Sequence, residues 1–213
     1  MKQIVIVGAG GLGREVKCLI DAINKVSPTY TLLGFYDDGF AKGTLINGLP
    51  VLGNILDLIS QGSDLAVAVA IGTPKVKHKV VDLLKSKLFS YPVLIHPTVI
   101  ISDDEVIIGQ GTIICAGAIL TCNIGIGDFV LLNLSCTVGH DTKLHDYSSF
   151  MPGVHISGEV IIESSVYVGT GATIINGVTV GRETIVGAGA VVVKSLPSCV
   201  TAVGTPAKPI KMH

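Results

Sequence analysis

Fifteen consecutive hexads limit what this chain can fold into more sharply than any other feature. Residues 108–197 divide into sixes without an insertion, from IGQGTI and ICAGAI through VGHDTK and LHDYSS to VGAGAV and VVKSLP. The first position is aliphatic or Phe in every line, although only 48% of the chain is hydrophobic and chance would fill it about half the time. The fifth position is mostly small or β-branched, and Gly recurs at the second. Self-similarity at a fixed period is the mark of a solenoid. Its physical form is a triangular prism in which each hexad makes one short side. The first residue points inward, the fifth packs near it, and Gly or a small polar residue takes the corner, where positive φ is often required. Three hexads close a coil, so residues eighteen apart stack and the fifteen hexads give five coils. HPTVII and SDDEVI, residues 96–107, add most of another, with Ser102 replacing the inward aliphatic. Parallel crossovers are normally right-handed, and counting does not reveal the hand of this one.

Composition suits such a scaffold. Aromatic residues make up 5% of the chain, Trp is absent, and there are 26 Gly among 213 residues, which favours narrow stacked strands over a helix bundle. A formal net charge of −1 leaves no electrostatic footprint for nucleic acid or an anionic membrane. Mean hydropathy is high at +0.65, yet no apolar run approaches the ~20 residues of a spanning helix, so no membrane insertion is expected. The opening MKQIVIVGAGGLG is too short and too Gly-rich for a signal peptide and reads as a first strand. Five scattered cysteines without a CxxC pair point to reduced thiols in a cytoplasmic protein.

Residues 1–95 have a different character. IVIVGAG reads as a buried strand, GLGREVKCLIDAINKV as a helix, and TLLGFYDD as a second strand. A short PVLG segment precedes a helix in NILDLISQG, then LAVAVAIG forms a strand and PKVKHKVVDLLKSK a helix. Alternating strands and helices predict a small parallel, Rossmann-like α/β domain over 1–95, joined near Tyr91–Pro97 to a β-helix domain with a C-terminal tail over 96–213. Gly8, Gly10 and Gly13 satisfy G-x-G-x-x-G between a strand and a helix, and Asp37 and Asp38 end the second strand where a ribose-binding acid would sit. The domain has room for only half a dinucleotide fold. A turn of this kind binds phosphate generally, so a mononucleotide or nucleotide-sugar fits better than NAD; glycines that merely permit tight packing are the alternative. Gly72 lies in a second ligand-facing turn after the AVAVAI strand.

With VGAGGLGREV, FYDD, IGTP, LIHPTVIIS, NLSCTVGHD, HDYSSFMPGVHISG and VGTPAKPIK in order, the chain resembles the bacterial hexapeptide-repeat sugar acyltransferases. The likeness is to the sialic acid O-acetyltransferase and UDP-4-amino-sugar N-acetyltransferase type and runs nearly end to end. It implies a left-handed β-helix, a homotrimer, and acetyl-CoA lying in grooves between neighbouring β-helices, with no metal. The front domain then holds the nucleotide of an activated sugar. By the same resemblance His140 is the general base and Asp141 the acid that raises its basicity. Gly10, Gly11 and Leu12 match the sugar-nucleotide loop, completed by Asp37, Asp38 and Gly72. Ser149, Thr170 and Ala188 fall at acetyl-CoA contacts, with Gly158 counted among them. In the amino-sugar enzymes the place of Ser149 is often a His touching the acetyl carbonyl; a Ser there can donate a hydrogen bond instead.

The residues support these roles on chemical grounds. A histidine with a pKa of ~6.5 accepts a proton near neutrality, as the substrate's amine or hydroxyl requires when it attacks a thioester. An adjacent carboxylate fixes its tautomer and stabilises the imidazolium. His140 occupies the third place of its hexad, beside a corner, where its ring can point outward; a solvated His followed by a turn Asp is the plainer alternative. Thr170 and Ala188 are eighteen apart and stack, so a line of backbone amides there can hydrogen-bond an extended pantetheine arm. Arg182 and Lys208 are candidates for the CoA phosphates, and Asn133 for orienting substrate or bracing the coils. His140-x4-His145 also resembles part of the zinc site of β-helical carbonic anhydrases, but Cys122 and Gly158, not a third His, stack with His140. The expected activity is acetyl transfer from acetyl-CoA to the amine of a UDP-linked amino-deoxysugar. Sugar O-acetylation of the sialic acid type is the alternative, and a non-catalytic sugar-nucleotide binder is a third.

Overall fold

The computed structural model describes residues 1–61, 64–85 and 87–213. The front domain runs β1 (Lys2–Val7), α1 (Gly11–Val26), β2 (Tyr30–Tyr36), β3 (Leu45–Ile46), β4 (Leu49–Gly53), α2 (Ile55–Ser60), β5 (Ala66–Val69) and α3 (Pro74–Leu84). Its sheet has the order β3-β4-β2-β1-β5 and is parallel apart from the β3–β4 hairpin. Helices cover both faces, which is why β1 is a continuous apolar run rather than an alternating one. Ile4 and Ile6 pack with Val16, Leu19 and Ile20 of α1, while Val5 and Val7 pack with Leu58 of α2 and Val81 and Leu84 of α3. The hairpin is absent from the expected strand set. Its turn is Asn47-Gly48, with φ of 48° and 80°, the left-handed pair that matches the twist of two-residue hairpins. Asn54 caps α2 reciprocally with Asp57. Gly62 and Ser86, placed in the second and third expected helices, lie outside the described residues.

Behind it stands the left-handed parallel β-helix. Three ladders of parallel strands form its sides. The first side starts at Leu94–Ile95 and reaches Val200–Val203, where antiparallel Lys208–Met212 closes it. The second side runs from Ile100–Ile101 to Val191–Val192, and the third from Val106–Ile108 to Thr179–Val180. Partners along each ladder are eighteen residues apart, as in Leu131↔Ser149 and Thr137↔His155.

First-position side chains from Ile114 to Val192 are buried, and so are those at the fifth, including Thr112, Thr142, Ser148 and Thr184. These hydroxyls bond to carbonyls of the corner, such as Thr142 to Ser157, so the polar atoms inside are satisfied. Left-handed φ falls on the fourth place of the hexad, every sixth residue from Glu105 to Gly189, and most often on a residue other than Gly. The second-place glycines serve a different need, close approach of coil to coil: a Cβ on Gly139 would lie 2.6 Å from the Gly158 amide.

The outward face of the first side is a second core. Ile113, Cys115 and Leu131 are buried there against the front domain. An aromatic seam continues along the same edge, with Tyr91 on Phe129, Phe129 on Tyr147, and Tyr147 stacked on His78 of α3.

Candidate functional site

The glycine loop joins β1 to α1 at the carboxyl end of the sheet. Gly8 adopts φ +100°, and a Cβ on Gly13 would overlap the Gly8 carbonyl oxygen, so both are demanded by the turn. At Gly10 and Gly11 nothing lies within 4 Å of where a Cβ would project. The surface over the helix N-terminus is therefore open, as an approaching phosphate requires. Asp37 builds this loop: its carboxylate accepts from the Ala9 amide at 2.7 Å and from the Gly39 amide at 2.7 Å. Asp38 accepts from the Ile55 amide at the start of α2. Both acids thus have backbone partners in this structure. Gly72 closes the group, its Cβ direction lying 3.8 Å from Met151 Cε and 3.9 Å from Leu12 Cδ2.

His140 and Asp141 sit at the corner between the second and third sides, and both are more than one-third exposed. Asp141 holds φ 56°, which turns its carboxylate back toward the preceding ring. His140 Nδ1 and Asp141 Oδ2 are 2.7 Å apart, and the other carboxylate oxygen accepts from Asn123 Nδ2 at 3.1 Å. The hydrogen bonds from His140 and then Asn123 hold the Asp141 pKa below its usual range. The imidazole lies over Gly158, whose added Cβ would come within 2.5 Å of Nε2 and 2.6 Å of Cε1. The ring is thereby fixed on one side by an anion and beneath by a bare backbone, with Nε2 directed away from Asp141.

The other expected residues divide. Thr170 and Ala188 are exposed on the corner between the first and second sides. Among the described residues neither amide donates to an acceptor of the chain, whereas Gly189 N–H donates to the Thr170 carbonyl. Lys208 is exposed on the closing strand, paired with Val203. Asn133 is buried, and its carbonyl accepts from the Leu134 amide, so it braces its own corner. Ser149 has no accessible surface; its hydroxyl accepts from Lys77 Nζ at 2.9 Å. His145 follows the third side and His140 the second, so this pair straddles two corners. Among the described residues, no group of three or more His, Cys, Asp or Glu is arranged to hold a metal ion.

Three features of the structure escaped the sequence. Asn123 lies one coil before Asp141, a position that eighteen-residue stacking identifies. Lys77 occupies a buried place on α3 that its residue type disguises. A cleft of about 960 Å³ opens between α3 and the first side, with Tyr167 and Ile185 on its floor and Thr73, His78, Lys79 and Asp82 along its wall. No helix among the described residues is long and apolar enough to cross a membrane.

Known proteins share this arrangement. The PglD N-terminal domain family matches residues 3–84. The GDP-perosamine N-acetyltransferase of Escherichia coli O157:H7 is 34% identical over 97% of this chain and 95% of its own. Two solved structures superpose closely. One is a variant perosamine N-acetyltransferase from Caulobacter crescentus in complex with CoA and GDP-perosamine, at TM-score 0.89 and 31% identity over 98% of this chain and 97% of that one. The other is the acetyltransferase domain of PglB from Neisseria gonorrhoeae FA1090 in complex with acetyl coenzyme A, at TM-score 0.90 and 35% identity over 98% and 99%.

Proposed function

The chain belongs to the hexapeptide-repeat sugar N-acetyltransferases, and from that premise we propose that it acetylates the amine of a nucleotide-linked amino-deoxysugar with His140 as general base. The observation that carries the proposal is the His140–Asp141 pair on an open corner. With Nδ1–H donated to the carboxylate, Nε2 is left as the acceptor. The acceptor amine attacks the thioester carbonyl and forms the C–N bond while Nε2 takes the amine proton. Collapse of the tetrahedral intermediate breaks the C–S bond, and the imidazolium returns that proton to the departing CoA sulfur. The depressed Asp141 pKa keeps the carboxylate ionised through this cycle, so it steadies the cation without taking the proton itself.

Acetyl-CoA is assigned to the corner of Thr170 and Ala188, where two unclaimed amides suit a pantetheine arm, with Lys208 for a phosphate. Ser149 stands behind this corner with its hydroxyl taken, as support and not as a ligand contact. The nucleotide is assigned to Gly10, Gly11, Leu12 and Gly72. Leu12 and Met151 pack against one cluster, with Met151 at the corner before the second side, whereas His140 lies at the corner after it. One chain therefore separates the two half-sites by the width of a side. A homotrimer with the second side turned inward would bring the base of one copy to the loop of the next. The outward residues of that side, Ile100, Ile119, Thr137, His155, Thr173 and Val191, include no carboxylate, lysine or arginine, as suits a buried face. A cytoplasmic location follows from both cosubstrates.

The test is CoA thiol release with acetyl-CoA against a panel of GDP- and UDP-linked amino sugars, with free sialic acids as hydroxyl acceptors. Turnover confined to the amino sugars supports the reading. Release with sialic acids alone would replace it by O-acetylation. Sedimentation of a monomer at micromolar concentration would sink the shared-site arrangement.

A further inference from the structure

α3 turns Pro74, Lys77, Val81 and Leu84 inward. An amphipathic helix packed on a protein core carries apolar residues along such a stripe, yet one of these four is a lysine only 2% exposed. Its ammonium donates to Ser149 Oγ at 2.9 Å and to the Ser148 carbonyl at 3.3 Å, both on solenoid residues without accessible surface. Burial alone lowers its pKa to about 7, with no carboxylate contributing. An unpaired buried amine is costly, and an apolar side chain of the same length would remove the cost. What the lysine supplies that methionine cannot is direction.

The direction concerns the nucleotide loop. Gly72 stands two residues before the first residue of α3, and a Cβ on it would meet Met151 Cε at 3.8 Å and Leu12 Cδ2 at 3.9 Å; Met151 and Leu12 pack against the same buried cluster as Ala9 and Ala70 beside the loop. Ser149 and Met151 are alternate residues of one solenoid strand and its continuation, so they face the same way. That short stretch therefore takes the lysine at one point and the loop at the next. Apolar contacts such as Val81 and Leu84 tolerate sliding along a side, whereas two hydrogen bonds to fixed oxygens do not. We propose that Lys77 is a positioning residue that sets the height of the nucleotide loop on the solenoid, through Ser148 and Ser149, and so aligns the acceptor sugar with the acetyl donor. This rests on the reading that the loop binds the acceptor's nucleotide.

Lys77→Met keeps the length and removes the donors. It should raise KM for the amino-sugar nucleotide by about tenfold, the scale of one lost charged hydrogen bond, with KM for acetyl-CoA unchanged. Lys77→Arg should recover part of the loss, and Ser149→Ala should shift the same KM by a smaller factor. A wild-type sugar KM in Lys77→Met, or equal increases in both KM values, would overturn the proposal. Should Lys77→Met not fold, the Ser149→Ala comparison decides in the same terms. Calorimetry of the wild type with GDP and UDP separates the two levels. If neither nucleotide binds, the reading of the loop fails and the proposal falls with it; if one binds and the variants leave the sugar KM unmoved, only the role of Lys77 fails.

Discussion

The two halves of this molecule reach a defined site by opposite routes. The front domain relies on singular residues: Gly8 and Gly13 make one turn, and the Asp37 carboxylate ties it down. In the solenoid every corner is a variant of one turn, and the His140–Asp141 pair stands where a repeat departs from the rule. His140 and Asp141 fill places occupied one coil on by Gly158 and Glu159, with no change in backbone path. A repeating scaffold can thus take a polar side chain at an open corner cheaply, because side chains there, unlike Phe129 and Tyr147, lie outside the core. In the front domain the site proposed for the nucleotide is the open backbone at Gly10 and Gly11 itself.

This contrast can be broken experimentally. If reactivity resides on the solenoid and recognition in the front, His140→Ala should lower kcat by about 10²–10⁴ while nucleotide affinity stays the same. Steady-state kinetics beside calorimetry checks both halves of that statement. Gly158→Ala places a methyl under the imidazole and should cost about 10–100-fold in kcat with KM for the sugar nucleotide near wild type, since the ring is displaced far from the nucleotide loop. Gly13→Ala should act oppositely, weakening nucleotide binding by about tenfold through the displaced Gly8 carbonyl and leaving the solenoid's thermal transition in place.

The smallest effect concerns stability. Burial lowers Lys77 to about 7 from an ordinary 10.5, so between those values the unfolded chain holds a proton that the folded one lacks. Stability then rises with pH across that window, and below it the cost of burying the cation is at its full value. Lys77→Met should therefore raise the melting temperature by about 5 °C near pH 7, with a gain that shrinks toward pH 10. A gain independent of pH would remove the ionisation from the account.

The solenoid was readable because its constraint repeats. An apolar first place in every hexad, aliphatic or Phe, is the direct imprint of an inward position filled coil after coil. Handedness was not readable, since it depends on how strands connect and not on which side chains alternate; the family resemblance supplied it. The His140–Asp141 pair was visible as a deviation in VGHDTK, but Asn123 became visible only when the coil was closed. In the front domain the Gly pattern announced the loop. The two amide hydrogen bonds of Asp37 stayed hidden, because a loop-bracing carboxylate and a ligand-facing one look the same in sequence. Ser149 was hidden for a related reason: its partner is Lys77, seventy-two residues away.

The left-handed backbone at every sixth residue has a consequence for how this scaffold diversifies. Corners form a lattice whose spacing along the axis is that of adjacent strands, about 4.8 Å, and a group can occupy a node but not the space between nodes. Inserting one residue would put every later inward side chain out of phase, so lengths are quantised in hexads and a return to the same corner takes a whole coil of three. His140 can be relocated toward or away from the nucleotide loop only by such steps, each larger than a hydrogen bond. Fine adjustment of reach must then come from whatever seats the front domain on the strand beneath it. On the mechanism proposed above, His140 would stay fixed while the seat of the front domain set the reach to the acceptor.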